Sequence, residues 1–407
     1  MEKIRNILKF LRENDFYPDP KLITGSPTNV EVVIGGRKIL MFCSNDYLGL
    51  ANSEVLKKAA HNAIDEYGVG SGGSRLVSGN TDIQIKLEET IAKYKGCEAA
   101  ITFSTGYMAN TGTIPAILDV MNLKKIGNKV VPLPSLTKNI ILSDELNHAS
   151  IIDGCRLGHS KIVVFKHRDM KDLESKLKKY KKNRKLIVTD GVFSMDGDIT
   201  PLPDIVKLAK KYNALTMVDD AHGSGVLGKD GRGTVEYFGM NPSDVDIIMG
   251  TFTKAFGGVG GFVAGSKLLI DYLRVSARTY IFSAPIPPVI SAALVAAVHE
   301  AETNASLRKN LNDNAVYLRT SLQKLGFDTL SSETQIIPVL IGEESKCIKF
   351  SDLLFEKGIL APTIRWPAVP WGMARLRLTV KATHTKEQID YFLENMEKIG
   401  KELKIIQ

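Results

Sequence analysis

The sequence predicts an α/β protein: a largely parallel sheet with helices on both faces, followed by a small C-terminal α+β lobe. Three observations carry this. Between Ile140 and Ala264, short apolar runs alternate with helical stretches, as strands buried on both faces require. Several of those runs close on polar or glycine-rich clusters, and ligand sites in such sheets form at strand carboxyl ends. The 407 residues, 44% of them hydrophobic, suffice for a large core.

In order, Met1 to Asn14 sets Ile4, Ile7, Leu8 and Leu11 on one helical face. It carries acidic residues and no apolar h-region, so it reads as neither signal nor transit peptide. A role packing on the body or on a second subunit is expected. Lys21 to Ile39 holds strand-like runs such as Val30 to Ile34, and Met41 to Leu50 reads as a strand entering a turn. Asn52 to Tyr67 is predicted helical with Ser53 as N-cap. Gly68 to Gly79 is too glycine-rich for regular structure. Thr81 to Lys95 is helical, Ala99 to Phe103 a strand, and Gly106 to Leu118 a helix. Asn122 to Asn139 reads as an irregular insertion. Strands follow at Ile140–Leu142, Ile162–Phe165, Leu186–Thr189, Leu215–Val218, Ile247–Met249 and Gly261–Ala264, with helices such as Pro203–Tyr212 between them. A long helical stretch from Pro287 to Leu325 precedes a mixed segment from Asp328 to Gln407. The expected division is an N-terminal helix and arm (1–50), a large domain (51–290) and a small C-terminal domain (291–407).

Net charge is +8 with a pI near 9.0. Much of the excess lies in Lys171 to Lys185, which reads as a solvated helix face or as attraction for an anionic substrate. No aromatic interleaving accompanies it, which argues against nucleic-acid binding. No run of about 18 apolar residues occurs, so no membrane span is expected. Cys43, Cys97, Cys155 and Cys347 are widely spaced without a metal pattern; they predict reduced thiols in a cytoplasmic protein.

Two glycine motifs fail on context. Gly68, Gly70 and Gly73 follow a helix rather than a strand. Gly223 to Asp230 resembles a P-loop, but Asp230 stands where a Ser or Thr must bind magnesium.

A stronger constellation closes four successive strands. Asp144 to His148 follows one, Thr189 to Gly197 another, and Asp219-Asp220-Ala221-His222 a third; the fourth leads into Gly250 to Gly261 with Lys254 at its centre. The acids and His222 could ligate a metal, cap a turn, or pair with a protonated heteroaromatic nitrogen. A lone lysine at a strand end is often only a solvated charge. Here the glycines let backbone approach a ligand, and Lys254 suits a Schiff base to a carbonyl cofactor. The helix from Gly106, preceded by Ser104 and Thr105, offers free N–H groups to a phosphate. Together these fit pyridoxal phosphate: a lysine for the aldehyde, a carboxylate for the pyridine nitrogen, and a flat group under the ring.

The motifs SNDYLGL, GSGGSRLVSG, FSTGYMAN, DELNHASI, TDGVFSMDGD, VDDAHGSGVLG, TFTKAFGGVGG and ARLRLTV stand in this order from about Asn45 to His384. They resemble those of the α-oxoamine synthase family of fold type I pyridoxal-phosphate enzymes. The resemblance implies that Lys254 anchors pyridoxal 5'-phosphate, Asp219 pairs with the pyridine nitrogen, His222 bonds the ring oxygen and His148 stacks on the ring. Gly106 and Tyr107 would give amides to the phosphate and Thr251 a hydroxyl; Ser194 would sit near the cofactor, and Ser283 would act across a homodimer interface. Asn45 and Arg377 would hold a substrate carboxylate, with Ser74 and Arg365 also on the substrate side; either Arg375 or Arg377, which share a strand face, could be structural.

The implied reaction is a decarboxylative condensation of a small amino acid, alanine or serine ahead of glycine, with an acyl-CoA or acyl-carrier thioester. The alternatives are acetyl transfer to glycine, or another fold type I enzyme such as an aminotransferase or lyase. A non-catalytic partner subunit and a nucleotide-binding module are less compatible with Lys254 and the failed glycine motifs. Three departures from the family pattern bear on substrate: Gln84 in place of histidine, Asp190 in place of glutamate, and the 122–139 insertion. Asp190 and the insertion are expected to reshape the acyl pocket or its entrance.

Overall fold

The computed structural model describes the chain apart from residues 14–15, 18–19, 119–121, 127–128 and 134–138, with the backbone alone described over 122–126 and 129–133. The central sheet has seven strands: β1 (Ala99–Phe103), β2 (Ile140–Asp144), β3 (Lys161–Phe165), β4 (Lys185–Asp190), β5 (Leu215–Asp219), β6 (Ile247–Thr251) and β7 (Gly261–Gly265). Their spatial order is β1-β7-β6-β5-β4-β2-β3. The pairs from β6 through β3 are parallel, and β7 runs antiparallel to both β6 and β1. The four strands whose ends looked functional (β2, β4, β5, β6) are therefore consecutive in space, and their carboxyl ends share one edge.

The predicted strands from Ile140 onward are all present, each longer by one or two residues. The added residues are largely polar or charged, such as Asp144, Asp190 and Asp219. They continue the ladder but break the apolar run that a sequence reading follows. Residues in β2, β4, β6 and β7 are buried at every position. Ile141, Val188 and Met217 pack under Ile114 and Ile151, from the helices Gly106–Leu118 and Ala149–Leu157. Leu142 and Ile187, pointing the opposite way, pack under Leu173, Leu177 and Ile205 on the other side. That alternation is the two-residue period of a strand covered on both faces.

Three readings change. The insertion is not wholly irregular: Asn122–Ile126 pairs antiparallel with Lys129–Leu133. The Gly127-Asn128 dipeptide between them is a hairpin signal that the reading passed over; residues 134–138 of the insertion lie outside the described residues. The long helical stretch is two helices, Pro288–Thr303 and Ala305–Lys324, broken at Asn304. The strand placed from Met41 onward is instead Arg37–Met41, and it ends where that reading began.

Arg37–Met41 also joins the far end of the chain. It pairs in parallel with Ile359–Leu360, Leu40 opposite Ile359. A separate three-stranded sheet of Ile336–Gly342, Ala374–Thr379 and Thr363–Ile364 places Ala374–Thr379 in its centre. The N-terminal helix, Glu2–Glu13, buries none of its residues in the single chain. Ile7 is 58% exposed and Phe10 57%, so much of its apolar face stands in solvent in the single chain.

Candidate active site

Lys254 occupies the loop between β6 and β7, a hairpin in a mainly parallel sheet. Phe252 and Phe256 are fully buried and pull the loop inward; the Phe252 ring meets Phe262 at 5.1 Å and Phe256 at 5.9 Å. The Gly257 N–H donates to the Lys254 carbonyl at 3.0 Å. Gly257, at φ +69°, runs so close to the chain at Ala51 that a Cβ would lie 2.4 Å from the Ala51 nitrogen, so only glycine fits. Burial lowers the Lys254 ammonium to about 8; Asp219 and Asp190 pull against this and Arg377 adds to it.

Asp219 closes β5 and Asp190 closes β4, directly opposite each other in register. Asp219 Oδ2 accepts from Asn110 Nδ2 at 2.7 Å, and Oδ1 accepts from the Ala221 N–H at 3.0 Å. Among the described residues no cationic side chain forms an ion pair with it. Asp220 points elsewhere. It takes Lys95 Nζ at 2.8 Å, Thr234 Oγ1 at 2.6 Å and the Thr234 N–H at 3.1 Å. Among the described residues no group of three or more His, Cys, Asp or Glu side chains is arranged to hold a metal ion. Asp190 Oδ2 accepts the His148 N–H at 2.7 Å. Burial, then the charge of Asp219, push its pKa well above the usual carboxylate range. Its contacts set it beside Asp219 and against the His148 N–H.

His148 caps the helix Ala149–Leu157. Its Nδ1 lies 2.7 Å from Ser150 Oγ and accepts the Ser150 N–H at 3.3 Å. Burial lowers its pKa; Asp219 opposes this and Lys254 reinforces it. A neutral, fixed ring results. His222 is buried, with Nδ1 2.7 Å from Tyr47 Oη. Burial, then the charges of Lys254, Arg377 and His148, hold its pKa well below the usual value.

Arg377 reaches the site from the centre of the C-terminal sheet. Its Nε donates to the Ser194 carbonyl at 2.5 Å, and Nη1 and Nη2 both donate to Asn45 Oδ1 at 3.3 Å. Arg375, two residues earlier, donates to Asp196 Oδ1 at 2.6 Å. The two arginines share a face, but Arg375 is tied to a carboxylate while the fork of Arg377 is held only by an amide oxygen.

At the start of the helix Gly106–Leu118, Thr105 Oγ1 accepts the Met108 N–H at 3.1 Å and the Thr105 carbonyl accepts the Ala109 N–H at 3.1 Å. The Gly106 and Tyr107 N–H groups take no partner among the described residues. A Cβ on Gly106 would lie 3.2 Å from Thr251 Oγ1, so that hydroxyl stands beside them. Thr251 itself donates to the Gly260 carbonyl at 2.8 Å. The Tyr107 hydroxyl bonds Asp153, away from the helix end.

Other expected residues are not brought to this cluster within the single chain. The carbonyl of Ser74 accepts from Val77, Ser78 and Gly79, and the neighbouring Arg75 is buried against Glu88 at 3.1 Å. Ser283 adjoins Ala284, whose carbonyl takes Ser104 Oγ. Arg365 lies over the Phe16 ring at 5.2 Å in a loop with Trp366 and Trp371. Ser194 joins the site through its carbonyl. Gln84 has a scaffold role: Oε1 caps Thr81 at 3.1 Å and Nε2 donates to the Ile286 carbonyl at 2.8 Å.

The sequence reading missed Tyr47 and Asn110, although both stand inside quoted motifs. Asn110 lies one helical turn after Gly106, which aims it back at the strand ends. Nothing local marks Tyr47, whose partner His222 is distant in sequence.

These residues fit pyridoxal phosphate. Among the described residues Asp219 is a buried carboxylate with no ion-pair partner, the counterpart that a protonated pyridine nitrogen supplies. Asn110 Oδ1 is buried without a partner. Two free N–H groups beside a threonine hydroxyl suit a phosphate, and Lys254 suits the aldehyde.

The aminotransferase class I and II family matches residues 37–396. The chain is 50% identical over 382 residues to 8-amino-7-oxononanoate synthase of Thermosipho melanesiensis, covering 94% of this chain and 93% of that one. Serine palmitoyltransferase (SPT) of Sphingomonas wittichii superposes with a TM-score of 0.89 at 33% identity, over 100% of this chain and 98% of that one. An SPT structure with its PLP internal aldimine gives a TM-score of 0.91 at 30% identity, over 100% and 99%. The chain belongs to the aminotransferase class I and II family and, within it, to the α-oxoamine synthases, which are pyridoxal-phosphate-dependent acyltransferases.

Proposed function

We propose that this chain acts as an 8-amino-7-oxononanoate synthase, joining alanine to a seven-carbon ω-carboxyacyl thioester with release of CO2 and the thiol. The observation that carries the substrate is the set of relatives bearing that name at 44–50% identity over nearly their full lengths. Serine palmitoyltransferases fall to 30–33%. The named product is a nine-carbon amino ketone acid; alanine contributes its last two carbons and the amine, and the acyl group the rest.

When bound, pyridoxal phosphate supplies an electron sink for charge at the amino acid α-carbon. The chain's own residues do the remainder. Asp219 would face the pyridine nitrogen, and the Gly106 and Tyr107 N–H groups with Thr251 would hold the phosphate. Arg377, steered by the Ser194 carbonyl, offers a two-pronged fork to the substrate carboxylate in place of Asn45 Oδ1. Lys254, with its pKa brought down to about 8, has enough free amine near neutrality to remove the α-proton and return one to the product. The neutral His148 ring supplies a flat wall, and His222 donates to an acceptor oxygen.

A cytoplasmic homodimer with shared sites is part of this proposal. Val77 is 84% exposed beside Ser74, and Phe282 is 71% exposed beside Ser283. Apolar side chains standing in water on those two loops support a covered interface that carries both serines to the site. The test is thiol release across alanine, serine and glycine, each with acetyl-, pimeloyl- and palmitoyl-CoA, together with sizing of the protein in solution. Alanine with pimeloyl-CoA should be fastest. Preference for serine with palmitoyl-CoA, or no thiol release from any pair, would overturn the assignment.

A further inference from the structure

We propose that Tyr47 is a positioning residue that sets the tautomer of His222, so that Nε2 carries the ring hydrogen and can donate it into the site. The acceptor it meets, the ring oxygen of the cofactor, rests on the proposed function; the tautomer does not.

The argument counts hydrogens. Tyr47 is wholly buried and has one hydroxyl hydrogen, and a buried hydroxyl is expected to donate it. Two acceptors lie within reach: His222 Nδ1 at 2.7 Å and Asn45 Oδ1 at 3.1 Å. Asn45 Oδ1 has two lone pairs, and Arg377 Nη1 and Nη2 both donate to it at 3.3 Å. A cation thus competes with Tyr47 for that oxygen. The Tyr47 hydrogen therefore goes to His222 Nδ1, the shorter contact. A neutral imidazole whose Nδ1 accepts carries its hydrogen on Nε2. Gln335 Nε2 donates to the His222 carbonyl at 3.0 Å, which fixes the backbone beneath the ring. Nε2 has no protein partner among the described residues. Burial, with Lys254 and Arg377 nearby, keeps the ring neutral. The substrate clamp thus reaches the cofactor-oxygen histidine through Asn45 and Tyr47.

The test is the side-chain nitrogen spectrum of full-length holoenzyme labelled with 15N-histidine, with the His222 signals identified by their loss in His222→Gln. In the wild type, Nε2 should be protonated and Nδ1 bare. In Tyr47→Phe, Nδ1 loses its donor, so the His222 nitrogen signals should shift toward those of an unbonded Nδ1, while the other six of the seven histidines keep their signals. The pH midpoint of the bound chromophore's absorbance should move upward in the same variant. Wild-type protein with hydrogen on Nδ1, or Tyr47→Phe with unchanged His222 nitrogens, would overturn the proposal. If Tyr47→Phe does not fold, the wild-type spectrum decides. A protein with the expected nitrogens that takes up no pyridoxal phosphate would overturn the proposed function and leave the tautomer assignment standing.

Discussion

Asp219 and Asp220 are neighbours in sequence, 3% and 0% exposed, and they end in opposite electrostatic surroundings. Asp220 has a cation, two hydroxyls and an N–H: Lys95, Ser224 and Thr234 satisfy it from within the fold. Among the described residues Asp219 has two neutral donors and no ion pair. A buried carboxylate costs several kcal/mol unless it is paired, and Asp46, Glu88 and Asp198 are likewise each paired with a cationic side chain. The difference teaches where to look for function: Asp220 is completed from within the fold, while Asp219 is left to be completed by what binds there.

Four experiments press on this contrast. The largest effect belongs to the site. Lys254→Ala should cut turnover by roughly four orders of magnitude or more and remove the visible absorbance, while the melting temperature barely moves. Normal turnover in that variant would end the case for Lys254.

The two acids should then separate cleanly. Asp219→Asn keeps the shape and should cost about a thousandfold in kcat, with little change in stability. Asp220→Asn leaves Lys95 as a buried, uncompensated cation, which should cost about 3–5 kcal/mol of stability; the surviving folded protein should turn over at close to the normal rate. Denaturant melts and single-turnover rates on both variants would expose any mixing of the roles.

A third probe concerns the paired region alone. His167 bridges Asp144 at 3.0 Å and Asp198 at 2.8 Å. Burial pulls its pKa down, but those two carboxylates outweigh it and raise it to about 9. The folded chain therefore holds more protons than the unfolded one between about pH 6.5 and 9. The stabilisation is complete below that window and lost across it as pH rises, by about 3 kcal/mol. His167→Gln should flatten the denaturation profile over that range; an unchanged slope would contradict the bridge.

The smallest effect separates the arginines. Arg377→Lys should raise the KM for the amino acid about tenfold, because the two-pronged geometry is lost. Arg375→Lys, still facing Asp196, should change KM by less than about twofold.

Much of this was legible from the chain. Alternating apolar runs located the sheet, and its polar strand ends located the site, because β2, β4, β5 and β6 prove to be neighbours. What escaped was long-range or shared between residues. Local sequence alone did not separate Asp220 from Asp219; the family resemblance did, and Lys95 arriving from a distant helix supplies the physical reason. Arg375 could not be told from Arg377 without Asp196 and Asn45. The register that sets Asp190 opposite Asp219 is a property of strand pairing, not of local sequence. Ser74, Ser283 and Arg365 remain proposals resting on likeness, since the single chain does not carry them to Lys254.

The pairing of residues 42–47 with 377–382 has a consequence for chain integrity. Phe42 and Tyr47 give their carbonyls to Thr379 and Ala382 at 2.8 and 2.7 Å, Asp46 pairs with Lys381 at 2.9 Å, and Asn45 meets Arg377. These contacts join segments more than 300 positions apart in sequence, with Lys254 between them. A chain cut between Lys254 and Arg377 would keep the lysine and lose its covalent link to the arginine fork, so proteolysis in that stretch should be read by activity as well as by size.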